Sequence, residues 1–332
     1  MIDSFSSYFC TVKFVTYLSH SSQRLGLLID SEILDLERAS AELGAALPSD
    51  IISFLRQGDW AMVAAKKIEV EALKNSNAFL NARVRPGSVR LLAPVPRPTS
   101  MRDGYAFRQH VEAARRNRGV EMIPEFDLFP VFYFTNHQAV IGPGAMEVMP
   151  DHLNRLDYEL EAAIVIGKEG RNISASEADD FIVGYTIMND WSARHLQIEE
   201  MKLSLGPAKG KDFATAIGPW LVTKEELDSK KIPSEQGDRY DLTMIASLNG
   251  RELSHGNLKD MTWTFAQIIE RASYGVTLYP GDVIGSGTVG TGCLLELNGS
   301  KITDNLWIKS GDTVTCAIEG LGELTNTVKI AA

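Results

Sequence analysis

Beyond about residue 100, apolar and polar positions repeat with a period of two more often than with a period near 3.6. In TVTCAIEG, Val314, Cys316 and Ile318 alternate with polar neighbours, the mark of a half-buried strand. Ala162–Ile166 and the stretch FIVGYTIMND are continuous apolar runs, expected of strands covered on both faces. Asn249-Gly250 in MIASLNGREL and Asn298-Gly299 in LLELNGSKIT supply residues tolerant of positive φ, so both stretches read as hairpins. Leu25–Leu36 reads as another, turning at Asp30-Ser31.

Helical periods are fewer. Ala61–Leu80, rich in Ala, Lys and Glu, predicts a helix, and so does Tyr105–Arg116. Ser174 and Glu177 match a capping box at the start of a short helix. Phe265, Ile268, Ile269 and Ala272 have helical spacing, with Gly275 placed to end that helix. Pro86, Pro94, Pro96 and Pro98 fall close together and favour extended chain, which predicts a boundary there. The expected organisation is a small N-terminal domain over 1–85 and a larger one over 86–332. The expected fold class is mainly β (α+β), a sandwich or rolled barrel decorated by short helices, without a βαβ rhythm or an internal repeat.

Composition narrows the partners more than the fold. The 332 residues are 44% hydrophobic and 23% charged, ordinary for a globular protein. A net charge of −10 argues against a nucleic acid or an anionic membrane surface. No apolar run approaches the roughly 18 residues that span a bilayer. The N-terminus lacks the basic start and apolar core of a signal peptide. The three cysteines, Cys10, Cys293 and Cys316, are odd in number and lack metal-site spacing, so a reducing compartment, the cytoplasm, is expected.

The stretch LDYELEAAIVIG carries the first chemical signal. Glu159 and Glu161 project from one face of a strand that continues into a core. Two like charges there repel and resist desolvation, and a hard divalent cation (Mg²⁺, Mn²⁺ or Ca²⁺) would offset both costs. A solvated edge strand is the plainer alternative. Asp190 ends the apolar run in YTIMNDWSARHLQ, with Arg194 and Gln197 just downstream. Asp103 and His110 are seven residues apart, two turns and roughly 10 Å along one helical face. Glu296 sits within LLEL, where an unpaired carboxylate would be costly, so a partner is expected.

Seven segments in order, RDGYAFRQHV, PVFYFTNHQAVIGPG, LDYELEAAIVIG, MNDWSARHLQ, GKDFATAIGPW, GDVIGSGTVGTGCLLEL and GDTVTCAIEGLGELTNTV, resemble the fumarylacetoacetate hydrolase family over residues 86 to 330. The resemblance implies that family's mixed β-sandwich roll, a homodimer and a divalent metal. It implies that Asp103, Glu159, Glu161 and Asp190 are metal ligands. It implies that His110 is the general base and Glu296 the carboxylate orienting it. Tyr105, Tyr133, Arg194, Gln197, Lys211 and Thr288 correspond to substrate-contacting positions, with Lys211 preferred to Lys209 by its GKDF context. No such role is expected of His137, His152, His195 or His255.

The implied reaction is metal-dependent hydrolysis of a carbon–carbon bond in a β-diketone acid, fumarylacetoacetate or an acylpyruvate. Isomerases, decarboxylases, dehydratases and hydratases of 2-oxo acids are the alternatives within the family. Residues 115–129 are where a lid selecting the substrate is expected. Two readings from other classes remain. GSGTVG, Gly285–Gly290, fits the dinucleotide fingerprint of a nicotinamide-dependent oxidoreductase, but a strand and hairpin are expected after it rather than a helix. A non-catalytic, metal-stabilised binding protein is the other.

Overall fold

The apolar runs Leu160–Ile166 and Ile182–Asp190 lie side by side at the middle of the largest sheet in a computed structural model describing residues 12–331. Cys10 lies outside the described residues, and Cys293 and Cys316 are buried free thiols. The larger sheet has twelve strands. From its centre, the order runs outward on one side through Thr215–Thr223 to Lys13–Ser19, Ser22–Ile29, Glu32–Asp35 and Arg83–Val84. On the other side it runs through Val283–Gly285 to Met101–Gly104 and Phe132–Phe134. Lys13 and Phe14 pair with Val222 and Leu221, so the N-terminal strands continue the same sheet.

Every residue of Leu160–Ile166 is buried because both faces are covered. Leu160, Ala162, Ile164 and Ile166 pack with the helix Phe265–Ser273 and with a second, five-stranded sheet. Ala163 and Val165 pack instead with Phe14, Leu27, Phe54, Ala65 and Ile68 of the N-terminal region. The small sheet runs Arg251–Asn257, Thr243–Leu248, Thr313–Ile318, Gly322–Ile330, Gly144–Val148. Two of its strands alternate strictly: Met244, Ala246 and Leu248 face inward, as do Val314, Cys316 and Ile318. Asn249 and Gly250 adopt the positive φ values of 52° and 79° that their hairpin requires.

Several expectations need correction. The N-terminal helix covers Asp59–Lys74 and stops short of Leu80. Ser174 does precede a short helix, Ala175–Ala178, but its hydroxyl bonds the Glu177 side chain rather than closing a capping box. The helix expected over Tyr105–Arg116 begins at Arg108 and ends at Asn117, so Asp103 and His110 do not share a helical face. Asp103 belongs to a strand, paired in parallel with Gly285. Residues 294–299 form a helix, not the strand and hairpin expected of LLELNG. The cause is non-local: the buried Asp157 carboxylate accepts from the amides of Leu294 (2.7 Å) and Leu295 (3.0 Å), capping the first turn. Leu294 and Leu297, three apart, then face the core.

Sheet geometry gathers the acids. Leu160 pairs with Asn189 across antiparallel strands, which sets the start of one beside the end of the other. Asp103 and Gly285 lie at the same end of the parallel pair next to them. Carboxylates far apart in sequence thus meet at one edge.

Candidate active site

Asp103, Glu159 and Glu161 are buried, with carboxylate oxygens all within 4.8 Å of one another. Asp190 joins them through Lys211, whose ammonium donates to Asp190 Oδ2 at 2.7 Å and also to Glu159 Oε2. Tyr133 donates its hydroxyl to Asp190 Oδ2. Arg194 donates from Nη2 to Glu159 Oε1 at 2.7 Å and from Nη1 to Gln197 Oε1 at 2.9 Å. Thr288 donates its hydroxyl to Glu161 Oε1 at 3.2 Å. Lys209, by contrast, is exposed and pairs with Asp212, so the fold selects Lys211.

Two glycines make room for this cluster. A Cβ at Gly285 would lie 2.5 Å from Asp103 Oδ1, and one at Gly287 would lie 2.6 Å from the Gly104 carbonyl oxygen. Gly287 has a φ of +78°, and its amide donates to Asp103 Oδ1 at 3.1 Å. These glycines of GSGTVG therefore serve the acids. A helix does follow the motif, but it is only six residues long and Asp157 already occupies its leading amides. The dinucleotide reading has no anion site left to use.

The electrostatics divide the four acids. Burial, then repulsion from Asp190, pushes Asp103 up to about 7. Burial, then Asp103, raises Glu161 well above the usual carboxylate range. Burial also raises Asp190, against the pull of Lys211. Burial acts upward on Glu159 too, but Lys211 and Arg194 outweigh it and hold Glu159 at about 2. Glu159 is thus stably ionised, while its neighbours carry charge only at a cost. Glu161 Oε2 and Asp190 Oδ1 are buried with no hydrogen-bond partner among the described residues. Unpartnered carboxylate oxygens beside an oxygen-only donor set are what a hard divalent cation satisfies, so these residues fit one.

Asp103 and Glu159 form part of the wall of a cavity of about 660 Å³, with Glu161 and Asp190 buried behind them. His110 lines it too, and its Nδ1 lies 2.6 Å from Glu296 Oε2. Glu296 Oε1 accepts from the Thr291 amide at 2.9 Å, so both carboxylate oxygens are fixed. The partner expected for Glu296 is His110, although Glu296 stands on a helix rather than a strand. Tyr105, Tyr133, Arg194, Gln197, Lys211 and Thr288 all line the same cavity. The Arg115–Phe129 segment contributes Arg115, Asn117, Arg118 and Ile123 to its wall. His137, His152, His195 and His255 do not line it; His152 stacks on Phe213 with centroids 4.2 Å apart, and His255 is exposed beside Glu252.

Three residues of the neighbourhood were missed in the sequence. Asp157 pairs with Arg194 Nε at 2.8 Å while capping the Glu296 helix. It stands two residues before Glu159 in LDYELE, so the same parity that singled out the glutamates pointed to it. Asn189 Oδ1 accepts from the Glu159 amide at 3.0 Å, and Cys293 lines the cavity. No local pattern marks either.

Comparison with known proteins places these features in context. Residues 99–329 match the family model described as fumarylacetoacetate (FAA) hydrolase C-terminal. The chain is 30% identical to an oxaloacetate tautomerase, YisK, of Bacillus subtilis over 330 residues, covering 96% of this chain and 100% of the relative. It is 29% identical over 328 residues to a fumarylacetoacetate hydrolase domain-containing protein 2 homolog of Dictyostelium discoideum, covering 97% and 98%. The fold matches a solved fumarylacetoacetate hydrolase of Exiguobacterium antarcticum with a TM-score of 0.71 at 24% identity, covering 96% of this chain and 100% of that one. It also matches a maleylpyruvate hydrolase of a Sphingobium species with a TM-score of 0.68 at 22% identity, covering 96% and 100%.

Proposed function

We propose a reaction from one premise: the chain belongs to the fumarylacetoacetate hydrolase family. Its relatives carry tautomerase, isomerase and hydrolase names, and these reactions share a need for proton transfer next to a carbonyl. We read the protein as a metal-dependent tautomerase that interconverts the keto and enol forms of a small 2-oxo dicarboxylic acid such as oxaloacetate. The carrying observation is the buried His110–Glu296 pair, 2.6 Å apart, in the cavity that Asp103 and Glu159 of the acid cluster also line.

A divalent cation held by Asp103, Glu159, Glu161 and Asp190 would supply Lewis acidity toward the 2-oxo acid oxygens. The chain's own residues supply the rest. Glu296 holds the Nδ1 proton of His110, which leaves Nε2 as the nitrogen that exchanges protons with a ligand. Nε2 takes a proton from the carbon next to the carbonyl. The electron pair forms the carbon–carbon double bond, and the carbonyl oxygen gains negative charge. Lys211 commits two of its three ammonium protons to Glu159 and Asp190, leaving the third for that oxygen. Gln197 accepts from Arg194 through its oxygen, so its amide protons remain for the same task. The imidazolium, stabilised by Glu296, then returns its proton to the oxygen and completes the enol. Arg194, bonded to Asp157, Glu159 and Gln197, holds these groups in place.

Carbon–carbon hydrolysis of an acylpyruvate is the second reading, favoured by a cavity of about 660 Å³, which is roomy for a four-carbon acid. There His110 would take its proton from water. It ranks second because a relative aligned over nearly the whole chain bears a tautomerase name. The two readings separate when oxaloacetate enol decay and acylpyruvate absorbance are followed with Mg²⁺, with chelator, and with His110→Ala. Faster enol decay that needs both metal and His110 is expected. Acylpyruvate cleavage without an effect on oxaloacetate would replace the first reading with the second, and inertness toward both would end each.

A further inference from the structure

Cys293 takes no part in the chemistry above, yet its thiol is fully buried and lines the same cavity. It precedes the helix that carries Glu296 and is a free cysteine. Ligand atoms of His110, Cys293 and Glu296 all lie within 4.8 Å of one another, and all three residues are buried. Burial, then the charge of Asp157, raises the thiol pKa, so the sulfur is a protonated thiol rather than a ready nucleophile. The geometry instead sets the sulfur among potential ligand atoms.

One imidazole nitrogen, one sulfur and one carboxylate oxygen are the mixed donors that tetrahedral zinc takes, with a fourth position left for water or a small ligand. Metal–ligand bonds of about 2.0–2.3 Å place donor atoms roughly 3.3–3.8 Å apart, so the cluster closes with side-chain shifts of about an ångström. The carboxylate cluster is different in kind: all its donors are oxygens, which suit Mg²⁺, Mn²⁺ or Ca²⁺.

We propose that His110, Cys293 and Glu296 form a second metal site, selective for Zn²⁺ and inhibitory, beside the oxygen-only cluster. On binding, the thiol releases one proton to solvent and the sulfur ligates as thiolate. The imidazole ligates through one nitrogen and carries its single proton on the other, and Glu296 exchanges its bond to His110 for coordination. Neither imidazole nitrogen then accepts a proton. The inhibition rests on the role of His110 given above; the site itself does not. Affinity rises with pH, because the thiol proton must leave.

The test uses the whole protein saturated with Mg²⁺. Titration with Co²⁺ is expected to produce a near-ultraviolet thiolate-to-cobalt band in the wild type and in Cys316→Ser, and none in Cys293→Ser or Cys293→Ala. Zn²⁺ should abolish the band by competition and stop turnover, with the inhibitory concentration roughly 10–100-fold higher in Cys293→Ser. Absence of the band from folded wild-type protein overturns the site, as does an equal band in a folded Cys293 variant. A band without loss of turnover would keep the site and reject inhibition through His110. If Cys293 variants do not fold, alkylation of wild-type protein read at Cys293 by peptide mass spectrometry decides instead: protection of Cys293 by Zn²⁺ and not by Mg²⁺ supports the site, and equal alkylation of Cys293 with either ion overturns it.

Discussion

The two largest sheets of this protein bury similar side chains and do different work. The five-stranded sheet alternates inward and outward residues, and none of the residues assigned to the site lies on it. The twelve-stranded sheet has central strands covered on both faces, and its strand ends carry Asp103, Glu161 and Asp190. A strand wet on one side can place a charge in water at little cost. A strand covered on both sides can present a carboxylate only where its cover stops. Here the cover stops at the cavity: Asp103 lines it, and Glu161 and Asp190 are buried directly behind its wall.

If that contrast is right, the largest change in activity should come from the cavity with little change in stability. His110→Ala should slow turnover by roughly 10²–10⁴-fold while melting close to the wild type, read by steady-state kinetics beside calorimetry. In the middle of the large sheet the balance should invert. Ile164→Ala should cost about 2–5 kcal/mol in denaturant unfolding, and the folded fraction should keep its turnover. Between these lies Glu161→Gln, which removes one of the mutually repelling buried charges. The metal-free variant should melt higher than the wild type. It should also lose the stabilisation by Mg²⁺, about 2.7 kcal/mol for the wild type at a hundredfold excess over the dissociation constant.

Glu69 asks whether a buried carboxylate by itself marks a site. It sits on the Asp59–Lys74 helix with Oε2 unpartnered, and burial followed by Glu226 raises it to about 7. The folded protein therefore holds this proton more tightly than the unfolded chain, and stability falls as pH rises from about 4.5 to about 7. Glu69→Gln should remove that slope, gaining on the order of 1–2 kcal/mol above pH 7 after allowance for solvent screening, with turnover unchanged. The smallest effect belongs to the small sheet's outer face. Thr315→Ala loses a 2.9 Å cross-strand bond to Thr325 and should cost roughly 0.2–1 kcal/mol, with no kinetic signature.

The same contrast governs what was legible in the sequence. The small sheet could be read directly, because Val314, Cys316 and Ile318 wrote their alternation into the chain and Asn249-Gly250 marked a turn. Glu159 and Glu161 could be read as a conflict between charge and burial, and the ordered segments placed Asp103, Asp190, His110 and Glu296 around them. What stayed hidden was non-local. Asn298-Gly299 has the composition of a hairpin turn, yet a carboxylate 137 residues away from Leu294 makes that stretch helical. The separation of Asp103 from His110 looked like two turns of one helix until a parallel pairing with Gly285 claimed Asp103 for the sheet. Cys293 gave no signal, since a single cysteine acquires neighbours only when the chain folds.

Asp157 has a mechanical consequence. Its carboxylate ties the first amides of the Glu296 helix to Arg194, and Arg194 grips Glu159. The support of the proton-transfer pair and one wall of the cation cluster therefore hang from one strut of ionic bonds. Any displacement of Glu159 would load that strut at the Arg194 end, and the strut's other end caps the helix that carries Glu296. The two ends of the cavity are thus joined through a single arginine.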